Sequence, residues 1–176
     1  EQIYNVPLTT VSLCLTLVYI VATIVGCVSG PVINRLGRMR TLVIAIALMI
    51  VGFAGSAIFI KSGFGVLTFL ACLFIAGVTA VYTPIYDAAS DALPVEENGR
   101  GVGILDLMMN TSASIGVGVY SSLMASDTMG KGGLFGVGSG VEAQTSNMFW
   151  IMCAVSVLSM IVLFVFRKSF TAKRNV

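Results

Sequence analysis

The sequence contains no histidine and very little charge. Only 10% of its 176 residues are Asp, Glu, Lys or Arg, whereas 57% are hydrophobic. A soluble domain carries about a quarter charged residues, because its surface contacts water. Without histidine, the imidazole chemistry of metal sites, catalytic triads and proton shuttles is excluded. The low charge predicts that lipid surrounds most of this chain.

Cysteine is also scarce. The four cysteines each lie within an apolar run and form no CxxC pair: Cys14, Cys27, Cys72 and Cys153. Cysteine in such a setting packs as a small hydrophobic residue, so neither a disulfide framework nor a metal site is expected. There is no GK[ST] nucleotide-binding loop, and the net charge of +2 gives no reason to expect nucleic acid. The sequence predicts no enzyme, no catalytic residues and no cofactor.

Long uncharged runs are what the sequence does contain. A helix needs about 20 apolar residues to cross the ~30 Å core of a bilayer. Five candidate transmembrane helices cover residues 8–29, 41–60, 65–86, 101–125 and 147–166. They predict an all-α integral membrane protein, a single helix bundle over 1–176. A glycine-rich external loop, 126–146, and a basic cytoplasmic tail, 167–176, complete the prediction.

The fourth span is the weakest, because it contains Asp106, and an Asp at a helix centre costs about 2.5–3.5 kcal/mol on insertion scales. The distribution of charge supports it nevertheless. With five spans, eight of the ten Lys and Arg residues lie on one side of the membrane. Omitting the fourth span would place the basic tail opposite the basic loop, against the positive-inside rule. We therefore expect an outside N-terminus and a cytoplasmic C-terminus in the cell membrane.

A basic hairpin, GPVINRLGRMR over Gly30–Arg40, joins the first two spans. Gly30 and Pro31 are predicted to end the first helix, and Gly37 to permit a sharp turn. The simplest interpretation is a positive-inside loop of the kind that any membrane protein can carry.

The order of residues in this hairpin resembles the G-x-x-x-D-R-x-G-R-[RK] loop of the major facilitator superfamily. The matching positions, with one residue between the last two basic ones, are Gly30, Arg35, Gly37, Arg38 and Arg40; Asn34 replaces the family's Asp. The segment TPIYDAASDALPVEENGRGVGI is similar to the family's tenth helix, the next loop and the start of the eleventh helix. That likeness is greatest for fourteen-helix drug–proton antiporters of the tetracycline and multidrug efflux type.

The resemblance implies a partial second six-helix half of a major-facilitator fold, with the first helix of that half and the N-terminal half of the transporter missing. It also implies a secondary transporter that works by alternating access and exports drug-like small molecules in exchange for protons. Two alternatives stay open: an uptake symporter of the same fold, and a small membrane subunit or scaffold that transports nothing.

The resemblance further assigns the hairpin to a cytoplasmic gate, in which Arg35, Arg38 and Arg40 pair with carboxylates or with helix C-terminal carbonyls. Gly37 belongs to the same gate. The substitution by Asn34 removes the acidic member of the family's network, although an Asn side chain still forms hydrogen bonds.

A polar stripe marks the fourth helix. Asp106, Asn110 and Ser114 follow one another at intervals of four and therefore share one helix face. An ionisable residue within a membrane span is a candidate functional group, here for proton coupling or substrate contact. The alternatives are a structural pairing of Asp106 or simple exposure. Tyr82 and Tyr86 either line the pathway or anchor the third helix in the aromatic belt.

Two further expectations concern acidic and small residues. Asp91, Glu96 and Glu97 are predicted to be solvated charges of the loop Asp87–Arg100. Gly52 and the Gly99-x-x-x-Gly103 pattern are predicted to allow close helix contacts, within one bundle or, alternatively, at a homodimer face.

Overall fold

The structure, a computed structural model, describes residues 6–133 and 140–167. These residues form five α-helices: α1 (Leu8–Leu36), α2 (Arg38–Ile58), α3 (Phe64–Asp91), α4 (Asn98–Met124) and α5 (Val141–Val165). Short 3₁₀ turns over Val95–Glu97 and Asp127–Gly130 precede and follow α4. All five helices are long and apolar enough to cross a membrane. The prediction of an all-α membrane fold with five transmembrane helices is confirmed.

Successive helices run in opposite directions, so the bundle has two ends. The Gly37 end carries the α1–α2 turn and the connection from α3 to α4, residues 92–97. The Gly63 end carries the α2–α3 turn and the segment between α4 and α5. The polar contacts described below are concentrated near these two ends.

Helix α1 extends beyond its predicted boundary. Gly30 and Pro31 lie inside the helix, which continues to Leu36, so the prediction that they close it is wrong. A transmembrane helix tolerates an internal proline because neighbouring groups and local adjustments satisfy the freed backbone carbonyl. Gly37 alone makes the turn into α2, with φ of 83°. Glycine adopts this left-handed conformation without steric cost, as its position in the hairpin predicted.

The α3–α4 and α4–α5 connections are also shorter than predicted. Helix α3 continues to Asp91 and α4 begins at Asn98, which leaves residues 92–97 of the predicted loop Asp87–Arg100 outside the α-helices. Helix α5 begins at Val141, so the end of the predicted loop 126–146 is helical. Residues 134–139 of that loop and 168–176 of the predicted tail lie outside the described residues. Apolar runs locate helices, but they do not mark polar helix ends, because polar residues also form helical backbone hydrogen bonds.

The packing centre lies among α2, α3 and α5. Leu42 and Ile46 of α2 and Leu163 of α5 are buried together, and Val81 and Ile85 of α3 pack against them. Helix α1 packs against α3. Branched apolar side chains pack tightly at this three-helix contact. Their dispersion contacts with each other are closer than those with lipid tails, and this difference stabilises the bundle.

Helices α2 and α3 approach each other closely at two glycines. A Cβ atom added to Gly52 would lie 2.6 Å from the Cβ of Phe74, and one added to Gly77 would lie 2.6 Å from the carbonyl oxygen of Ala45. Only a residue without a side chain fits there, which confirms the expectation for Gly52. Gly99 and Gly103 meet nothing within 4 Å. That pattern therefore does not mark a helix contact among the described residues, and the prediction is wrong for this bundle.

Helix α4 is the least packed element. None of its residues is buried, whereas each of the other four helices buries at least three. Its apolar residues are exposed along its length, among them Ile104, Leu107, Ile115 and Val119. An apolar helix with this much exposed surface requires either lipid or further protein around it.

Candidate functional site

At the Gly37 end, the turn at Gly37 directs Arg38 towards the last turns of α3. The Arg38 Nε donates a hydrogen bond to Asp87 Oδ2 at 2.5 Å, and Nη2 donates to Asp91 Oδ2. The two aspartates are one helical turn apart and share a face of α3. One planar guanidinium therefore bridges both carboxylates, and this Arg38–Asp87–Asp91 cluster joins α2 to α3.

The cluster remains accessible to solvent at its carboxylates. The side chain of Arg38 is 28% exposed, while those of Asp87 and Asp91 are 44% and 65% exposed. Water and salt screen ion pairs with this exposure, so each pair stabilises the contact only modestly. A contact of this kind can open and close without a large energetic cost.

The prediction that Asp91 is a loop charge is wrong, because the residue lies in α3 and pairs with Arg38. Its carboxylate is solvated, as expected, with 65% of the side chain exposed. Glu96 and Glu97 are exposed, as expected. The sequence carries a signal that was missed: Asp87 and Asp91 are four residues apart at the same predicted end of the bundle as the basic hairpin. The acidic partners of the hairpin come from α3, whereas the family's Asp position holds Asn34.

The other hairpin residues lie apart from this cluster. Gly30 is within α1, and Asn34 and Arg35 are exposed in its last turns. Arg35 carries positive charge at a helix C-terminus, where the helix dipole favours it. Arg40 is exposed in the first turn of α2. Among the described residues, carboxylate partners are found for Arg38 and not for Arg35 or Arg40.

A second polar contact joins α3 to α4. The hydroxyl of Tyr86 donates a hydrogen bond to Asp106 Oδ1 at 2.6 Å, a length typical of a hydroxyl bound to a carboxylate. The ring of Tyr86 stacks with that of Tyr82, with centroids 6.4 Å apart. Three residues singled out from the sequence are thus brought together, although the bond itself was not predicted.

The remainder of the polar stripe is bonded within α4. Asn110 Nδ2 donates to the carbonyl oxygen of Asp106, and Ser114 Oγ donates to that of Asn110, both at 2.9 Å. Asp106, Asn110 and Ser114 are exposed in this bundle. Bonds to the preceding turn satisfy side-chain donors without a second helix, so the stripe can face lipid headgroups, water or another protein element.

The Gly63 end contains a cluster that reasoning from the sequence missed. The first turns of α5 carry three polar side chains that donate to backbone carbonyls elsewhere, and we name this cluster the α5 clamp: Gln144, Ser146 and Asn147. Ser146 Oγ donates to the carbonyl of Ala57 in the last turn of α2 at 2.9 Å. Gln144 Nε2 donates to the carbonyl of Met124 at the end of α4.

Asn147 fixes the segment that follows α4. Its Nδ2 donates to the carbonyls of Met129 and Gly132, each at 3.0 Å, and the residue is only 4% exposed. The last carbonyls of a helix have no partner within the helix, so the α5 clamp supplies donors where α2 and α4 need them. A salt bridge between Lys61 and Glu142, 3.3 Å long, lies beside the clamp.

The bundle offers little enclosed space. A recess of about 430 Å³ lies along the surface of α1. It is lined only by residues of this helix, between Leu8 and Thr16. A crevice of about 160 Å³ lies between α1, α2, α3 and α5 and has an apolar lining that includes Cys14 and Phe74. Sites for drug-sized ligands hold roughly 300–1,000 Å³ and surround the ligand. Neither space, within the described residues, has both the size and the enclosure of such a site.

Five helices long and apolar enough to cross a membrane define an integral membrane protein. The sequence model of the Major Facilitator Superfamily matches residues 1–176. The chain belongs to the major facilitator superfamily, whose members are transporters, and the resemblance seen in the hairpin is confirmed at this level. No solved structure matches the chain.

Proposed function

We propose that this chain is part of the second half of a proton-coupled exporter of drug-like small molecules, in which Asp106 carries the proton. The observation that supports the proposal is the hydrogen bond from the Tyr86 hydroxyl to the Asp106 carboxylate, 2.6 Å long and located on an exposed face of an apolar helix. The substrate class and the export direction follow the resemblance to fourteen-helix antiporters.

Asp106 is suited to a coupling role by its position. It lies eight residues after the start of α4, about 12 Å along the helix axis, and an ionisable residue within a membrane span is a candidate functional group. Its carboxylate accepts a hydrogen bond from the Tyr86 hydroxyl, so opening this bond frees the carboxylate for another partner.

The Arg38–Asp87–Asp91 cluster is our candidate for the cytoplasmic gate, together with the other hairpin residues Arg35 and Arg40. Its guanidinium already bridges two carboxylates of α3. A carboxylate or helix terminus from the other half of the transporter would compete for the same donors. Neutralising Arg35, Arg38 and Arg40 together is expected to impair cycling or invert the topology; unchanged transport and unchanged cysteine accessibility would contradict the gate.

The exposed surface of the bundle supports a missing half. Helix α4 buries no residue, and α1 exposes large apolar residues such as Leu13 and Ile24. The larger of the two spaces described above is an open recess on α1, and the smaller one has less volume than a site for a drug-like ligand. A second group of helices facing α4 would cover its polar stripe and provide the opposite wall of a substrate cavity. In this arrangement the Gly37 end is cytoplasmic, because the basic residues of the hairpin lie there.

The experiment that tests the proposal is substitution Asp106→Asn in the complete transporter. Substrate transport is measured in membrane vesicles in two modes: uphill movement driven by a proton gradient, and exchange of labelled for unlabelled substrate without a gradient. Loss of uphill transport with retained exchange is expected, because Asn cannot carry the proton while the substrate path remains intact. Uphill transport at the unsubstituted rate would contradict the role of Asp106.

A matched control is Glu97→Gln, which neutralises an exposed carboxylate in the connection between α3 and α4. Both transport modes should remain unchanged in this variant. The orientation of the vesicles decides the direction of transport: accumulation in inside-out vesicles supports export, whereas accumulation in right-side-out vesicles driven by inward proton flow identifies an uptake symporter.

A further inference from the structure

We propose that residues 125–133, which follow α4, form a strap that the first two turns of α5 hold closed through its backbone. This segment is called the α4–α5 strap below. Asn147 holds the strap itself, and Gln144 holds the helix end from which it starts. The inference is independent of the proposed function, because it concerns the connection between two helices and involves neither the proton nor the substrate.

Two amide side chains of α5 provide the donors. Gln144 and Asn147 are three residues apart and therefore neighbours on the surface of the helix. Gln144 Nε2 donates to the carbonyl of Met124, the last residue of α4. Asn147 Nδ2 donates to the carbonyls of Met129 and Gly132, at 3.0 Å each. The chain is thus held against the same face of α5 from the end of α4 to Gly132.

Asn147 is suited to this contact because an amide NH₂ group carries two donors. Both are directed at the strap, to carbonyls three residues apart in the chain. The residue is only 4% exposed. Opening the strap therefore leaves a buried NH₂ group without its acceptors, and burial of an unsatisfied polar group is unfavourable. This penalty keeps the strap closed.

The same contacts explain how a glycine-rich segment can be ordered. Glycine-rich composition usually favours a flexible linker. The bonds from Gln144 and Asn147 all end on backbone carbonyls, so they do not depend on the side chains of the strap. A further bond, from the backbone N–H of Gly140 to the carbonyl of Gly130 at 3.0 Å, joins the strap to the residue before α5. Recognition of the backbone thus replaces recognition of side chains.

Lys131 gives the strap a measurable property. The residue is exposed, so trypsin can reach its side chain. The peptide bond that follows it, however, lies between the two carbonyls that Asn147 binds. Proteases cleave segments that have opened locally, and the cleavage rate then follows the fraction of open molecules. Cleavage after Lys131 therefore reports on the opening of the strap.

Limited digestion with trypsin tests the inference in the complete protein, reconstituted in lipid nanodiscs so that both membrane sides are accessible. Fragments that end at Lys131 are followed by mass spectrometry. In the Asn147→Leu variant, which keeps the size of the side chain and removes both donors, their rate of formation should rise by about tenfold or more, the factor expected for loss of a buried hydrogen bond. Backbone hydrogen exchange in residues 125–133 should accelerate in parallel.

Two neighbouring positions of α5 provide matched controls. Thr145→Val removes a hydroxyl that is bonded to the carbonyl of Val141 within α5 itself, and cleavage should be unchanged. Ser146→Ala removes the bond from α5 to α2 and leaves the donors to the strap in place, so cleavage after Lys131 should again be unchanged. Should Asn147→Leu fail to fold, Asn147→Asp keeps the shape of the side chain and removes the same NH₂ group.

Two results would overturn the inference. Unchanged cleavage and unchanged hydrogen exchange in the Asn147 variant would mean that its amide does not hold the strap. Equally faster cleavage in the Asn147 and Ser146 variants would mean that a general loosening of α5, and not the release of the strap, exposes Lys131. Faster cleavage confined to substitutions of Asn147 supports the inference.

Discussion

Gly77 of α3 lies directly against the backbone of α2: a Cβ atom at this position would be 2.6 Å from the carbonyl oxygen of Ala45. The nearby backbone nitrogen of Met49, at 2.9 Å from the same point, cannot rotate away as a side-chain end can. The substitution Gly77→Ala therefore has to push the two helices apart. We expect a loss of about 1–3 kcal/mol, as for other overpacked contacts, measured as a lower melting temperature in detergent.

Gly116→Ala in α4 is the control for that experiment, because a Cβ there meets nothing within 4 Å. Alanine also favours helix by up to about 1 kcal/mol relative to glycine. The control should melt at the original temperature or slightly above it. If the two variants had the same melting temperature, α2 and α3 would not be in close contact at Gly77.

The α5 clamp yields a second prediction. Ser146→Ala removes the donor to the Ala57 carbonyl, a buried bond 2.9 Å long between α5 and α2. Hydrogen bonds between helices in membranes contribute about 0.6 kcal/mol on average and up to about 1.7 kcal/mol. We expect a loss in that range in reversible unfolding. Ser159→Ala, which removes an exposed hydroxyl bonded within α5 itself, should have an effect close to zero.

Some features of this fold follow from local sequence patterns, whereas others depend on contacts between residues far apart in the chain. The five helices follow from apolar runs, the α1–α2 turn from the conformational freedom of Gly37, and the tight α2–α3 approach in part from Gly52. Each of these features depends on the properties of a residue and its near neighbours along the chain. They are therefore predictable from the amino-acid sequence alone.

The partners of the polar residues are harder to predict, because they depend on helix register. Asp91 and Tyr86 bind residues on other helices, and which residue lies opposite is set by small rotations and shifts of whole helices. Ser146 is harder still, since its partner is a backbone carbonyl and leaves no mark on the sequence. Pro31 illustrates the opposite error, in which a strong local signal for a helix end is overridden by the membrane setting.

The Arg38–Asp87–Asp91 cluster gives a third prediction, which concerns ionic strength. The double substitution Asp87→Asn with Asp91→Asn removes both negative charges that pair with Arg38. Because the carboxylates are more than one-third exposed, we expect a loss of about 1 kcal/mol or less at low salt. The Debye length falls to about 3 Å at 1 M salt, so the difference from the unsubstituted protein should shrink there.

Glu96→Gln serves as the control for the salt experiment, since it neutralises an exposed carboxylate close to the same end of the bundle. Its melting temperature should follow that of the unsubstituted protein at both salt concentrations. If the double substitution at Asp87 and Asp91 were without effect at low salt, the cluster would contribute nothing to holding α2 against α3.

The salt bridge between Lys61 and Glu142 provides the fourth prediction, because it tests which ends of α2 and α5 are adjacent. The charged atoms are 3.3 Å apart, and the side chains are 56% and 36% exposed. Lys61→Glu alone and Glu142→Lys alone each place like charges together and should lower stability. The combined exchange restores an opposite-charge pair and should recover most of the loss.

The coupling energy in this double-mutant cycle is expected to be about 0.2–1 kcal/mol, the range for exposed ion pairs. Its sign is more informative than its size. If the combined exchange costs less stability than the sum of the two single losses, the two side chains interact. Position 61, just beyond α2, and position 142, in the first turn of α5, are then neighbours in the membrane-embedded protein. If the losses of the two single substitutions simply added, the charges at positions 61 and 142 would not interact measurably, and the salt bridge would contribute nothing to holding α5 against the end of α2.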